Sequence, residues 1–177
     1  MKSVRNRLGL ACMVLVISAL IVRVSVAGPA MAPAAKILPD FEKMKSLVGE
    51  WQGKAADGTG AKVSYTLVSD NSALMERLVM GGESEMVTMY HPDGDYLMMT
   101  HYCSAHNQPR MRSQKGSGET KSIVFDFVDA TNLSAPDAGH MARLILTFVD
   151  KDHLTQEWTW KEKGKDNVVV IQFERKK

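Results

Sequence analysis

The chain has 177 residues and a formal charge of +2, but that charge is unevenly spread. Lys2, Arg5, Arg7 and Arg23 stand in the first 27 residues without a single acid, so the other 150 residues hold 18 bases against 20 acids, a formal −2. That balance excludes nucleic-acid binding driven by phosphate contacts, and 150 residues is the size of one ordinary domain.

The basic start is followed by an apolar run from Leu8 to Val22 and by Ser25-Val-Ala27, small residues where a signal peptidase reads. This pattern predicts an export signal over 1–27 with cleavage after Ala27, placing the mature protein in a periplasm or outside the cell. The run is at the short end for a membrane span, so no stable membrane insertion is expected after cleavage. Cys12 leaves with the signal, which makes Cys103 the one remaining cysteine and rules out an intrachain disulfide. An exported domain without disulfides has to be held by its core.

A Pro/Ala linker is expected over 28–38, with one domain over 39–177. Pro39 and Asp40 suit a helix start, Phe41, Met44 and Leu47 recur at helical spacing, and Gly49 ends the element. Thereafter the rhythm changes to two. Val63, Tyr65 and Leu67 alternate with Lys62, Ser64 and Thr66, and comparable runs cover 50–55, 74–80, 85–91, 96–103, 110–114, 122–128, 143–149, 154–161 and 168–175. Turn residues such as Asp57-Gly, Gly81-Gly, Pro92-Asp-Gly and Lys115-Gly-Ser-Gly separate them, and Asp129–His140 is read as an irregular loop or one helical turn. About ten short strands at regular spacing predict an all-β fold, a single antiparallel up-and-down barrel with a short helix before its first strand. Closure removes exposed edges, and the strand number suits a barrel with a cavity rather than a solid core.

The most concentrated polar stretch is Met99-Thr-His-Tyr-Cys-Ser-Ala-His-Asn-Gln-Pro-Arg-Met-Arg112. Three chemistries fit it. His101, Cys103 and His106 could ligate zinc or copper, although structural zinc sites use four ligands in paired spacing and no second pair is present. Cys103 with His101 or His106 could form a nucleophile and base, yet nothing in the spacing forces that geometry. Haem held through one histidine belongs to the same class of alternative. The preferred reading is the polar mouth of a container, in which His101, Tyr102, Cys103, His106, Asn107, Gln108, Arg110 and Arg112 meet a small apolar or amphiphilic molecule. Arg110 and Arg112 share a side of their strand. Facing the lumen they would take a carboxylate or phosphate head group; facing water they are a solvated surface. Met75, Met80, Met86, Met89, Met98, Met99, Met111 and Met141 fall in strands, where a flexible thioether lining could fit irregular apolar ligands. No cofactor is required by this reading, and phosphate-loop, dinucleotide and serine-hydrolase signatures are absent. A structural envelope module with a filled barrel and no ligand is a further possibility.

The segment Met44-Lys-Ser-Leu-Val-Gly-Glu-Trp-Gln-Gly53, a helix running into Leu47-x-Gly49-x-Trp51, resembles the entry to lipocalin-like, or calycin, barrels. The stretch from Thr100 to Met111 resembles a motif of uncharacterised exported bacterial proteins with a DUF1579-like domain. The resemblance implies a barrel floor closed by Trp51 beneath Arg175 from the last strand. It speaks to the fold more than to the task, since one fold serves many functions.

Overall fold

The computed structural model describes residues 38–115 and 121–177. The export signal, the linker as far as residue 37 and the Gly116-Ser-Gly118 turn lie outside the described residues. The described part holds one short helix, α1 (Pro39–Lys45), and ten strands. These are β1 (Gly49–Ala55), β2 (Gly60–Val68), β3 (Ala73–Met80), β4 (Met86–Asp93), β5 (Tyr96–Tyr102), β6 (Gln108–Ser113), β7 (Ser122–Thr131), β8 (His140–Phe148), β9 (His153–Glu162) and β10 (Lys165–Arg175). Each strand pairs antiparallel with its chain neighbours, and β1 also pairs with β10, so the sheet closes into a barrel.

The alternation read from the sequence decides which face turns inward. In β5, Leu97, Met99 and His101 are buried while Tyr96, Met98 and Thr100 are half-buried. The inward residues of the other strands join one core that includes Val63, Leu78, Phe125, Leu144 and Ile171. The middle of the barrel is therefore lined by apolar side chains, with a few buried polar ones among them. The methionines divide between the faces. Met86, Met99 and Met111 are buried in the core, and Met80 and Met141 pack against it. Met75, Met89 and Met98 take alternate positions on β3–β5 that are only half-buried, so the thioether lining is thinner than the count suggested.

α1 covers one end of the barrel. Pro at its first turn suits the start, and Phe41 and Met44 are buried into the core with Leu47 behind them. The Trp51 indole donates to the Leu47 carbonyl at 2.8 Å. Above that indole lies the Arg175 guanidinium, 4.1 Å from the ring, donating to the carbonyls of Val48 and Ser46. Across the β1–β10 seam Gly53 faces Phe173, and a Cβ at Gly53 would stand 2.2 Å from the Gln172 carbonyl oxygen, so only glycine fits.

At the opposite end the strands do not all finish together. β7 and β8 pair from Ser122/Thr147 to Asp126/Arg143 and then separate. β7 continues to Thr131 alongside β6 past an irregularity at Arg110/Met111, which is why the loop expected from Asp129 starts later. The fork between β7 and β8 is spanned by the Phe127 and His140 rings, 4.6 Å apart.

Candidate functional site

Four neighbouring strands each place one polar side chain in a row inside the barrel. Tyr65 on β2 is in register with Glu76 on β3, Glu76 with Thr88 on β4, and Thr88 with His101 on β5. Successive inward positions on adjacent strands are side-by-side neighbours, so the register alone sets these groups in contact. None is more than 1% exposed.

A second layer binds this row to the far wall. The Tyr90 hydroxyl donates to Glu76 Oε2 at 2.9 Å, and Gln156 Nε2 donates to the same oxygen at 3.0 Å and to the Tyr65 hydroxyl at 2.6 Å. Gln156 is oriented by the Trp158 indole, which donates to Gln156 Oε1 at 2.8 Å. Thr88 Oγ1 and His101 Nδ1 are 2.9 Å apart, and the imidazole lies 4.8 Å from the Trp158 ring.

Burial of polar groups is tolerated when each finds a partner. Two atoms of this network do not: Glu76 Oε1 and His101 Nε2 are buried and unpartnered. Each such orphan costs about 1–3 kcal/mol. Burial disfavours charge on both groups. It raises the Glu76 carboxyl to about 7, against opposing hydrogen bonds of which that from Tyr90 is the largest. It lowers His101 to about 4, so the imidazole is neutral at ordinary pH. The Tyr65 and Tyr90 hydroxyls are pushed well above their usual range by burial and by the nearby carboxylate.

The residues singled out in the Met99–Arg112 segment scatter. His101 points into the barrel, and Cys103 is half-buried against the core. Tyr102 is half exposed on the opposite side. His106 sits in the turn with φ 63°, exposed. Asn107 is buried, its amide donating to the Gly139 carbonyl at 2.8 Å while its Oδ1 has no partner. Gln108 accepts from Thr131 and Asn132 on the outer side. Arg110 points away from the lumen and forms a forked pair with Asp129. Arg112 is likewise exposed and lies over the Tyr96 ring, 4.8 Å away.

Two alternatives do not fit this arrangement. Among the described residues no three His, Cys, Asp or Glu side chains are grouped to hold a metal ion, and the His101–Cys103–His106 trio is split between core and surface. The His101 ring is bonded to Thr88 rather than to Cys103, so it is not placed as the base for that thiol.

Tyr65, Glu76, Thr88, Tyr90 and Gln156 were not among the expected site residues. A signal for them existed: Leu74-x-Glu76-x-Leu78 and Leu154-x-Gln156-x-Trp158 each put a polar group in the apolar row of a strand.

Two depressions among the described residues lie against the barrel wall. One of about 390 Å³ lies at the β7/β8 fork against Phe127, His140, Arg143 and Lys161. The other, about 1100 Å³ and widely open, runs over β1, β2 and β10 beside Gln52, Lys62 and Gln172.

No family model matches the sequence, and no curated protein is similar to it at a significant level. Among solved structures the chain is similar to a protein of unknown function from the DUF3598 family of Nostoc punctiforme PCC 73102. The TM-score is 0.51 and the identity 13%, with 75% of this chain and 49% of that one covered. The chain thus spans about half the length of that protein. At this identity the likeness is one of fold, a β-barrel of the same general build, and the chemistry has to be read from the residues themselves.

Proposed function

We propose that the protein is an exported, lipocalin-like barrel that holds a small, largely apolar ligand in its interior, the ligand's polar end meeting Glu76 and His101. The observation that carries this reading is the pair of buried orphans, Glu76 Oε1 and His101 Nε2, inside a network whose other links are made. A merely structural network is expected to close on itself, because each missing bond is a net cost. A site that waits for a ligand leaves some of its bonding capacity free, at the expense of stability.

Apolar burial would supply the affinity and the polar row the orientation, as in small-molecule sites generally. Space would come from movement of Met86, Met99 and Met111, which fill the core with flexible side chains. The fork between β7 and β8 is the weak place in the wall for entry, being bridged by two rings instead of backbone hydrogen bonds. The Trp51–Arg175 floor and the Leu47-x-Gly49-x-Trp51 entry support the lipocalin-like assignment. The basic, apolar and small-residue sequence of 1–27 supports export.

Native mass spectrometry of protein isolated from its source tests the reading. A small molecule should stay bound under gentle ionisation and be released on denaturation. Protein that carries no such mass, and whose melting temperature no apolar or amphiphilic compound raises, would end it.

A further inference from the structure

Building on the proposed ligand site, we infer that the polar end of the ligand is a protonated amine, held by the Glu76 carboxylate among the aromatic rings of the lumen. The inference starts from the charges placed inside. Among the described residues Glu76 is the single buried carboxylate of the ten strands, and no lysine or arginine is buried. The one other buried carboxylate, Asp40, belongs to α1 at the covered end. Glu76 therefore has no internal cation, and one of its oxygens has no donor.

The surroundings narrow the choice further. A carboxylate or phosphate head group would face Glu76 without a compensating positive charge, because Arg110 is committed to Asp129 outside the wall and Arg112 is exposed over Tyr96. An ammonium group supplies the donor that Glu76 Oε1 lacks and the opposite charge. In the same row His101 Nε2 is a second unmet acceptor, provided the imidazole proton is on Nδ1 and donated to Thr88 Oγ1. Tyr65, Tyr90 and Trp158 join the same network through their polar edges, and an aromatic ring attracts a cation most strongly where water is excluded. In the free protein Glu76 avoids an uncompensated charge by retaining its proton up to about pH 7. Binding of the ammonium form would ionise it, so the carboxyl proton passes to solvent while an ammonium N–H donates to Oε1; no covalent bond of the ligand changes.

The test uses three probes of equal apolar length, n-hexylamine, n-hexanol and n-hexanoate, titrated calorimetrically into the full mature chain. Hexylamine should bind the tightest. At pH 6.5, runs in buffers of different ionisation enthalpy should report release of most of one proton, falling toward none at pH 8.5. Glu76→Gln should weaken hexylamine by roughly 30-fold or more while leaving hexanol within a few-fold. The proton release needs only the wild-type chain, so it stands even if the variant does not fold. Hexanol or hexanoate binding as tightly as hexylamine would overturn the amine and leave the container intact. Failure of all three would also overturn the amine, and together with empty protein in native mass spectrometry would remove the container as well.

Discussion

The inner row on β2–β5 and the turn between β5 and β6 use similar residues under opposite conditions. The turn and the start of β6 hold His106, Gln108 and Arg110, polar groups that water can always satisfy. The row holds Glu76, Thr88 and His101, each 1% exposed or less, where an unmet hydrogen bond has no such remedy. The turn looked richer in chemistry because its polar residues are adjacent in sequence. The row is richer in consequence, because it is assembled from four strands by register. Polar density along a chain and polar density in space are different quantities, and burial decides which of them matters.

The strongest way to break this comparison is through pH. Glu76 is raised from 4.5 to about 7 on folding, so between those values the native state holds a proton that the unfolded chain has lost. Its contribution to stability is present below about 4.5 and disappears as pH rises through 7. His101 is lowered from 6.5 to about 4, so its contribution is present above 6.5 and disappears as pH falls through 4. Between roughly pH 4.5 and 6.5 the two slopes oppose each other and the wild type should be nearly flat. Removing either group unmasks the other. Glu76→Gln should gain about 3 kcal/mol of stability from pH 4 to 6.5, and His101→Asn should lose about 3 kcal/mol from pH 4.5 to 7. Urea denaturation in steps of half a pH unit measures both slopes. A steep wild type with two flat variants would show that these groups do not titrate as buried partners of the row.

A change within the row should have the next largest effect. Tyr90→Phe keeps the ring against Phe125, whose centroid is 5.6 Å away, and deletes the donor to Glu76 Oε2. A loss of about 2 kcal/mol is expected, together with a further rise of the Glu76 carboxyl, read by the same denaturation series. At the covered end, Arg175→Ala removes three bonds to carbonyls and the guanidinium over Trp51. It should cost about 1–2 kcal/mol and leave the balance of the Glu76 and His101 slopes between pH 4.5 and 6.5 unchanged, which separates the floor from the row.

The turn should respond least. Arg110→Ala breaks an exposed pair with Asp129, for which about 0–1 kcal/mol is the expected range in a thermal melt. His106→Gly should be neutral or slightly stabilising, since φ is positive there. A loss of several kcal/mol at Arg110 would mean that the turn, rather than the row, is what the fold depends on.

Much of the barrel was legible in the sequence. Alternation gave the strands, the Phe41/Met44/Leu47 spacing gave α1, and Asp57-Gly and Gly81-Gly marked turns. The boundaries moved where pairing overrode local signals, as when β7 ran on beside β6 to Thr131. The site was legible only in part. His101 shares its face with Leu97 and Met99, and that could be read from period two. Its connection to Glu76 could not, because 25 positions separate them and the link passes through Thr88 on a third strand. Nor could the outward direction of Arg110 be decided in advance, since its strand has polar residues on one face and Pro109, Met111 and Ser113 on the other.

A crystal structure of the protein as isolated from its source would test the central claim most directly, at a resolution that shows bound atoms in the lumen. We expect non-protein density containing more than a single water, with an atom in hydrogen-bonding reach of Glu76 Oε1 or His101 Nε2. A lumen in which both atoms are bonded to protein side chains, with nothing else beside them, would contradict it.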